Sequence, residues 1–236
     1  MDESIPTWED VESAAEALKG VAIKTPVMTS SRLNEEMGAQ IYIKCENFQR
    51  TGAMKFRGAY NTLSKLTDDQ KKGGVVGYST GNHAIALCLA GKLLDIKITV
   101  VMPFDAPEMK KAAAEGYGGN VVLFDKYKEK GEDIANRIVA ENPAMIYVPT
   151  CNVKNVIAGQ GTVAKELFEE VGELDYVFTC VGGGGLTAGT CLSASKLSPN
   201  CKIYGVEPLA GNDAQMSLEQ GKVVHIEMPV TIADGA

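Results

Sequence analysis

Along the chain, short apolar runs alternate with longer stretches in which apolar residues recur at helical spacing. The runs "QIYIKCE", "GVVGYS", "IKITVVM", "NVVLF", "AMIYVP", "DYVFTCV" and "KIYGVE" read as strands. "KFRGAYNTLSKL", "HAIALCLAGKLL", "APEMKKAAAEGY", "KGEDIANRIVAE", "VIAGQGTVAKELFEEV" and "LTAGTCLSASKL" read as helices between them. A first helix, "VESAAEALK", starts at a Thr7 to Asp10 capping pattern and stops at Gly20. Strand and helix in alternation predict an α/β fold of two parallel or mostly parallel β-α-β sheets with helices on both faces. With no linker or repeat in sight, the expected division is a chain crossing. Residues 68–145 form a small domain, and 1–67 with 146–236 form a discontinuous larger one.

Composition narrows the function classes. The 236 residues are 45% hydrophobic and include 25 glycines, enough for an enclosed site. The net charge of -7, with acidic and basic residues interspersed, offers nothing to a phosphate backbone or an anionic membrane surface. No apolar window reaches the roughly 18 residues of a membrane span, and the first residues lack a leader pattern, so a cytoplasmic address is expected. The six cysteines show no C-x-x-C spacing and are expected to be reduced structural thiols. Arg50 and Arg57 read as solvated surface charge, although a guanidinium near the carboxyl end of a sheet can hold a carboxylate bidentately.

In parallel sheets ligands sit beyond the carboxyl ends of the strands, so the loops after strands carry the information. "YSTGNHA" passes from strand to helix through Ser79, Thr80, Gly81 and Asn82, which can cap the helix or offer N–H groups to an anion. "CVGGGGLTAG" places Gly182, Gly183, Gly184 and Gly185 before a helix. Four glycines cost entropy on ordering, and they let backbone amides approach a phosphate closely. Gly183 to Ala188 also fits G-x-G-x-x-A, with Glu207 ending the next strand, so an NAD-binding Rossmann reading stays open on the pattern alone. That reading leaves unused Lys55 of "ENFQRTGAMKFRGAY", which stands where an apolar run turns into a helix. An indoor lysine with a phosphate cradle is the pair that pyridoxal phosphate requires: an amine to condense with its aldehyde and amides to hold its phosphate.

The segments "ENFQRTGAMKFRGA", "STGNHA", "VMPFDAPEMKKAAAEGYG", "VIAGQGT", "GGGGLTAG", "GVEP" and "TIADG" resemble, in order and spacing, the serine/threonine dehydratase and serine racemase family of pyridoxal phosphate enzymes, of fold type II. The resemblance implies Lys55 as the Schiff-base lysine, Asn82 on the phenolic oxygen of the cofactor, Gly182 to Gly185 on its phosphate, and Gly235 against its ring. It implies Ser79, Thr80, Gly81 and His83 around the substrate. Glu207, the Gly211 carbonyl and Asp213 match a site for magnesium or calcium in some members. Members are commonly dimers or tetramers, which implies a homo-oligomer.

The chemistry so implied is loss of water from L-serine, L-threonine or a related β-hydroxy amino acid, giving a 2-oxo acid and ammonia. Racemisation needs an acid on the opposite face, and the Thr80 hydroxyl is the candidate. Three departures stand out. Met54 replaces the usual aromatic residue before the lysine, "PTCNVKN" lacks the usual proline and acidic pattern, and family chains continue past "TIADG", leaving the large domain incomplete here. A shortened non-catalytic relative that binds a partner is therefore a further alternative.

Overall fold

The computed structural model describes residues 4–79, 81–226 and 229–233. The first helix, α1 (Trp8–Leu18), opens as expected: the Thr7 N–H donates to the Asp10 carboxylate at 2.8 Å. Its Val11, Ala14 and Leu18 fall on one face and are buried. The run "QIYIKCE" departs from expectation. Only Ile43 and Lys44 (β2) pair, and they pair antiparallel with Val27–Met28 (β1), forming a small ribbon across α2 (Ser31–Met37).

After α3 (Lys55–Ser64) and the short α4 (Asp68–Gly73) comes the main sheet. Its strands are β3 (Val75–Tyr78), β4 (Ile98–Pro103), β5 (Asn120–Phe124) and β6 (Ile146–Tyr147), in the order β5-β4-β3-β6 and all parallel. The crossovers are α5 (Asn82–Leu94), α6 (Glu108–Gly116) and α7 (Gly131–Glu141). Successive strand residues face opposite ways, and the core divides accordingly. Val75, Val100 and Met102 join Phe56, Leu63 and Leu87 on the α3 and α5 side, while Val76, Val101 and Phe124 join Ile134 and Ala135 of α7.

Next come α8 (Lys154–Val171), β7 (Tyr176–Cys180), α9 (Gly185–Leu197) and β8 (Lys202–Val206), with β7 and β8 parallel, and then α10 (Asp213–Gln220). One face of this pair is an exposed aromatic ladder in which the Phe178 and Tyr204 rings stack at 5.4 Å.

The central helix α8 touches its neighbours backbone to backbone. A Cβ on Gly159 would stand 2.6 Å from the Gly58 Cα in α3, and one on Gly189 of α9 would stand 2.7 Å from the Gly161 Cα. Glycine is required at these positions by space, since side chains would push the helices apart. The helix that begins at Lys55 and the helix that begins at Gly185 are thus both clamped to α8. Among the described residues no helix is long and apolar enough to cross a membrane.

Candidate active site

A cavity of 780 Å³ lies between the carboxyl ends of β3 and β7. Its lining includes Lys55, Ser79, Asn82, His83, Lys110, Cys151 and Gly182 to Gly185, drawn from segments far apart in sequence.

Lys55 is the first residue of α3 and is mostly buried, with its ammonium 3.4 Å from the Thr150 carbonyl, which accepts the hydrogen bond. Burial holds it below the usual lysine range, and the neighbouring Cys151 and Cys180 thiols act in the opposite direction. Less of the charged form has to be neutralised before this amine can act as nucleophile or base. Met54, in front of it, also lines the cavity.

The glycine loop faces that amine. Gly184 takes φ +78°, the left-handed region that glycine enters without strain, and Gly185 begins α9. A Cβ on Gly183 would collide with the Cys151 sulfur, and one on Gly185 would stand 3.1 Å from the Cys151 carbonyl oxygen. The result is a cradle of bare backbone at the positive end of a 13-residue helix. Such a cradle fits a phosphate, and the amine across from it fits an aldehyde.

On the third side, the Ser79 N–H donates to the Val101 carbonyl and the Ser79 hydroxyl accepts the Gly81 N–H at 3.1 Å, fixing the turn into α5. Asn82 is exposed to the cavity as the first residue of α5. His83 is 1% exposed, its Nδ1 has no hydrogen-bond partner, and its Nε2 lies 3.4 Å from the Val148 carbonyl. Burial, then the charge of Lys55, pushes its pKa down to about 3, so the imidazole is neutral. Thr80 and Gly235 lie outside the described residues.

Two features differ from the first expectation. Arg57 is 0% exposed, and of its two readings the solvated one gives way to a guanidinium that holds carboxylates. Its guanidinium donates to Glu46 at 2.8 Å and to Glu166 at 2.6 Å, as well as to Thr162 and the Ile23 carbonyl. Burial opposes its charge, but the hydrogen bonds and charges of the two carboxylates outweigh that and raise its pKa. The correction has a simple cause. Two residues after Lys55 on a helix, Arg57 faces away from the cavity, into the junction of α3 and α8, and local sequence does not announce Glu166 over a hundred positions on. The cysteines, all free, are also less uniform than expected: Cys45 and Cys88 are buried, whereas Cys151 and Cys180 line the cavity.

Of the residues matched to a cation site, Glu207 lines the cavity. The Glu207 carboxylate accepts the N–H groups of Ala214 at 3.3 Å and Gln215 at 2.8 Å, capping α10, and Asp213 opens that helix. Gly211 is buried just before it. Among the described residues no cluster of three or more His, Cys, Asp or Glu side chains is arranged to hold a metal.

A family model described as pyridoxal-phosphate dependent enzyme matches residues 18–236. The chain belongs to that family. The pyridoxal-phosphate dependent enzymes most like it in sequence include a serine racemase of Schizosaccharomyces pombe, 53% identical over 232 residues, or 98% of this chain and 72% of that protein. An L-threo-3-hydroxyaspartate ammonia-lyase of Saccharomyces cerevisiae is also 53% identical, over 98% of this chain and 71% of that protein. Among solved structures, maize serine racemase superposes with a TM-score of 0.94 at 36% identity, over 98% of this chain and 70% of that one. Family membership decides against the dinucleotide reading.

Proposed function

We propose that this pyridoxal-phosphate dependent chain eliminates water from a β-hydroxy amino acid, L-serine, L-threonine or a close analogue, to give a 2-oxo acid and ammonia. The observation that carries the reading is the Lys55 amine held opposite the bare glycine cradle in one cavity. The relatives named for ammonia-lyase and racemase reactions both start from loss of an α-proton, so one site serves either.

In this reading Gly182 to Gly185 hold the cofactor phosphate, Lys55 its aldehyde carbon and Asn82 its phenolic oxygen, with Gly235 beside the ring. The cofactor, when bound, supplies a conjugated system that accepts the electron pair released at the substrate α-carbon. Lys55 takes the α-proton, its basicity matched to the task by burial. The turn of Ser79, Thr80 and Gly81, at the positive end of α5, holds the substrate carboxylate. Neutral His83 offers that pocket a hydrogen bond without adding charge.

Serine racemisation is the second reading, favoured by the 53% identity to a serine racemase. It uses Thr80 to return a proton on the opposite face. Magnesium or calcium at Glu207, the Gly211 carbonyl and Asp213, a dimer or tetramer, a cytoplasmic location, and a small domain of residues 68–145 inserted in a larger one complete the proposal. A carboxylate has lone pairs beyond those that cap α10, so Glu207 can serve both purposes.

The test is an assay of the purified, cofactor-loaded chain with L-serine, L-threonine and L-threo-3-hydroxyaspartate, following 2-oxo acid and D-serine together. Formation of 2-oxo acid that Thr80→Ala leaves in place supports elimination. D-serine that Thr80→Ala abolishes supports racemisation. Cofactor binding without either product points instead to a non-catalytic relative that works through a partner.

A further inference from the structure

We propose that Thr179 and Thr187 are a pair of positioning residues, a hydroxyl clip that holds the glycine loop in the shape of a cradle for the cofactor phosphate. The inference rests on the reading above, in which that loop receives the phosphate.

The placement of the pair supplies the first observation. Every residue from Cys180 to Leu186 lines the cavity, and Thr179 and Thr187 flank that stretch on its two sides. Thr179 belongs to the buried face of β7, and Thr187 stands in the first turn of α9. Their hydroxyl oxygens lie 2.7 Å apart, a hydrogen bond in which either one donates. The clip therefore closes the base of the loop from behind the cavity wall.

The loop needs such a closure because it cannot stiffen itself. Glycine has more backbone freedom to lose than any other residue, and a phosphate that had to order four of them would bind more weakly for it. Threonine suits the task. Branching at Cβ leaves χ1 few choices, so the bond fixes the two ends of the loop against each other instead of tethering them loosely. The Val181 N–H, which donates to the Val206 carbonyl at 2.9 Å, pins the strand end of the loop to β8 as well.

Helix geometry supplies the second observation. With Gly184 as N-cap, Thr187 is the third residue of α9, the position from which a polar side chain reaches back to the N-cap N–H in a capping box. Here the hydroxyl is turned to Thr179 instead, and Gly184 has no side chain with which to cap the turn. The same bond that closes the loop thus leaves the first amides of α9 to an anion, at the positive end of the helix.

The test is fluorescence titration of the cofactor-free chain with pyridoxal phosphate and with pyridoxal, which lacks the phosphate. Wild type is compared with Thr187→Val, Thr179→Val, the double valine variant and Thr187→Ser. The ratio of the two affinities isolates the phosphate cradle from the rest of the site. Each single valine should lower that ratio about three- to tenfold, the double variant should lower it no further, and serine should keep most of it. Urea unfolding separates this from a merely structural role. A single valine leaves one hydroxyl without its partner and the double variant leaves none, so stability should fall in the singles and recover in the double while the ratio stays low. A ratio unchanged in the valine variants, or one that recovers with stability in the double variant, overturns the clip and leaves the glycine cradle standing. A wild-type chain that binds pyridoxal as tightly as its phosphate overturns the cradle itself, and the clip with it.

Discussion

Gly183 and Cys151 meet so closely that no Cβ fits between them: the sulfur occupies the place where a side chain at 183 would begin. The glycine loop therefore keeps its shape through a contact from the segment before α8. Gly183→Ala must push that segment or the loop aside, at a cost of about 1–3 kcal/mol for overpacking. The expected result is a ten- to hundredfold loss in cofactor affinity, on the order of that energy, measured by fluorescence titration. Cys151→Ala should restore part of the loss in the double variant, because it removes the sulfur that collides; strictly additive effects would show that the two do not meet.

Lys55→Ala separates holding the cofactor from using it. The glycine cradle remains, so pyridoxal phosphate should still bind, more weakly and in free exchange. The visible band of the lysine-bound form should be absent, and no cofactor should stay attached after borohydride reduction. Turnover should fall on the order of 10³-fold or more, since one group serves as both attachment point and base. A variant that retained the covalently trapped cofactor would move the attachment to another lysine, with Lys110 the next cation in the lining.

Arg57 is the next test because its network ties α3 to α8. Its side chain is 0% exposed, against 13% for Glu46 and 19% for Glu166, and Lys44 stands 2.7 Å from Glu166 as a second cation. Replacing Arg57 by methionine keeps the volume roughly constant but leaves carboxylates buried with less compensation, which costs about 3–5 kcal/mol. Urea unfolding should show that loss. Because Lys55 lies two residues away on the same helix, the variant should also show weaker cofactor binding in the fraction that stays folded. A stability equal to wild type would mean that water takes over the role of the guanidinium.

Much of this arrangement was legible from local pattern, for physical reasons that differ by element. The strands and crossover helices around the main sheet are buried on characteristic faces, so their apolar spacing shows in the sequence. The helix α10, by contrast, has no buried residue, and α2 has none either, so neither carries an apolar stripe to read. Their signals lie in the ends: Ser30 accepts the Leu33 N–H, and Gly38 closes α2 at φ +62°. The short α4 is polar throughout but carries a Thr67 to Gln70 capping box that the sequence displays. In the site, Lys55 and the glycine loop declare themselves locally, whereas Lys110 over Gly81 and Arg57 against Glu166 join residues that only the fold brings together.

His83 makes the pH behaviour of the fold predictable in sign. In the native state its pKa is pushed down to about 3 from 6.5, first by burial and then by the charge of Lys55. Below the unfolded value the unfolded chain takes up a proton that the native imidazole refuses, so protonation favours unfolding. The native state therefore keeps its full stability from this group above about pH 6.5 and loses it progressively as the pH falls towards 3. Each unit within that window removes about 1.4 kcal/mol. Carboxylates titrate there too, so the measurement is the difference between wild type and His83→Gln, each unfolded in urea across the range. That difference should rise with pH up to about 6.5 and be level above it. A level difference throughout would mean that the imidazole takes up its proton at the same pH folded and unfolded, and below about pH 6.5 the cavity wall beside Lys55 would then carry a charge that the present geometry leaves unbalanced.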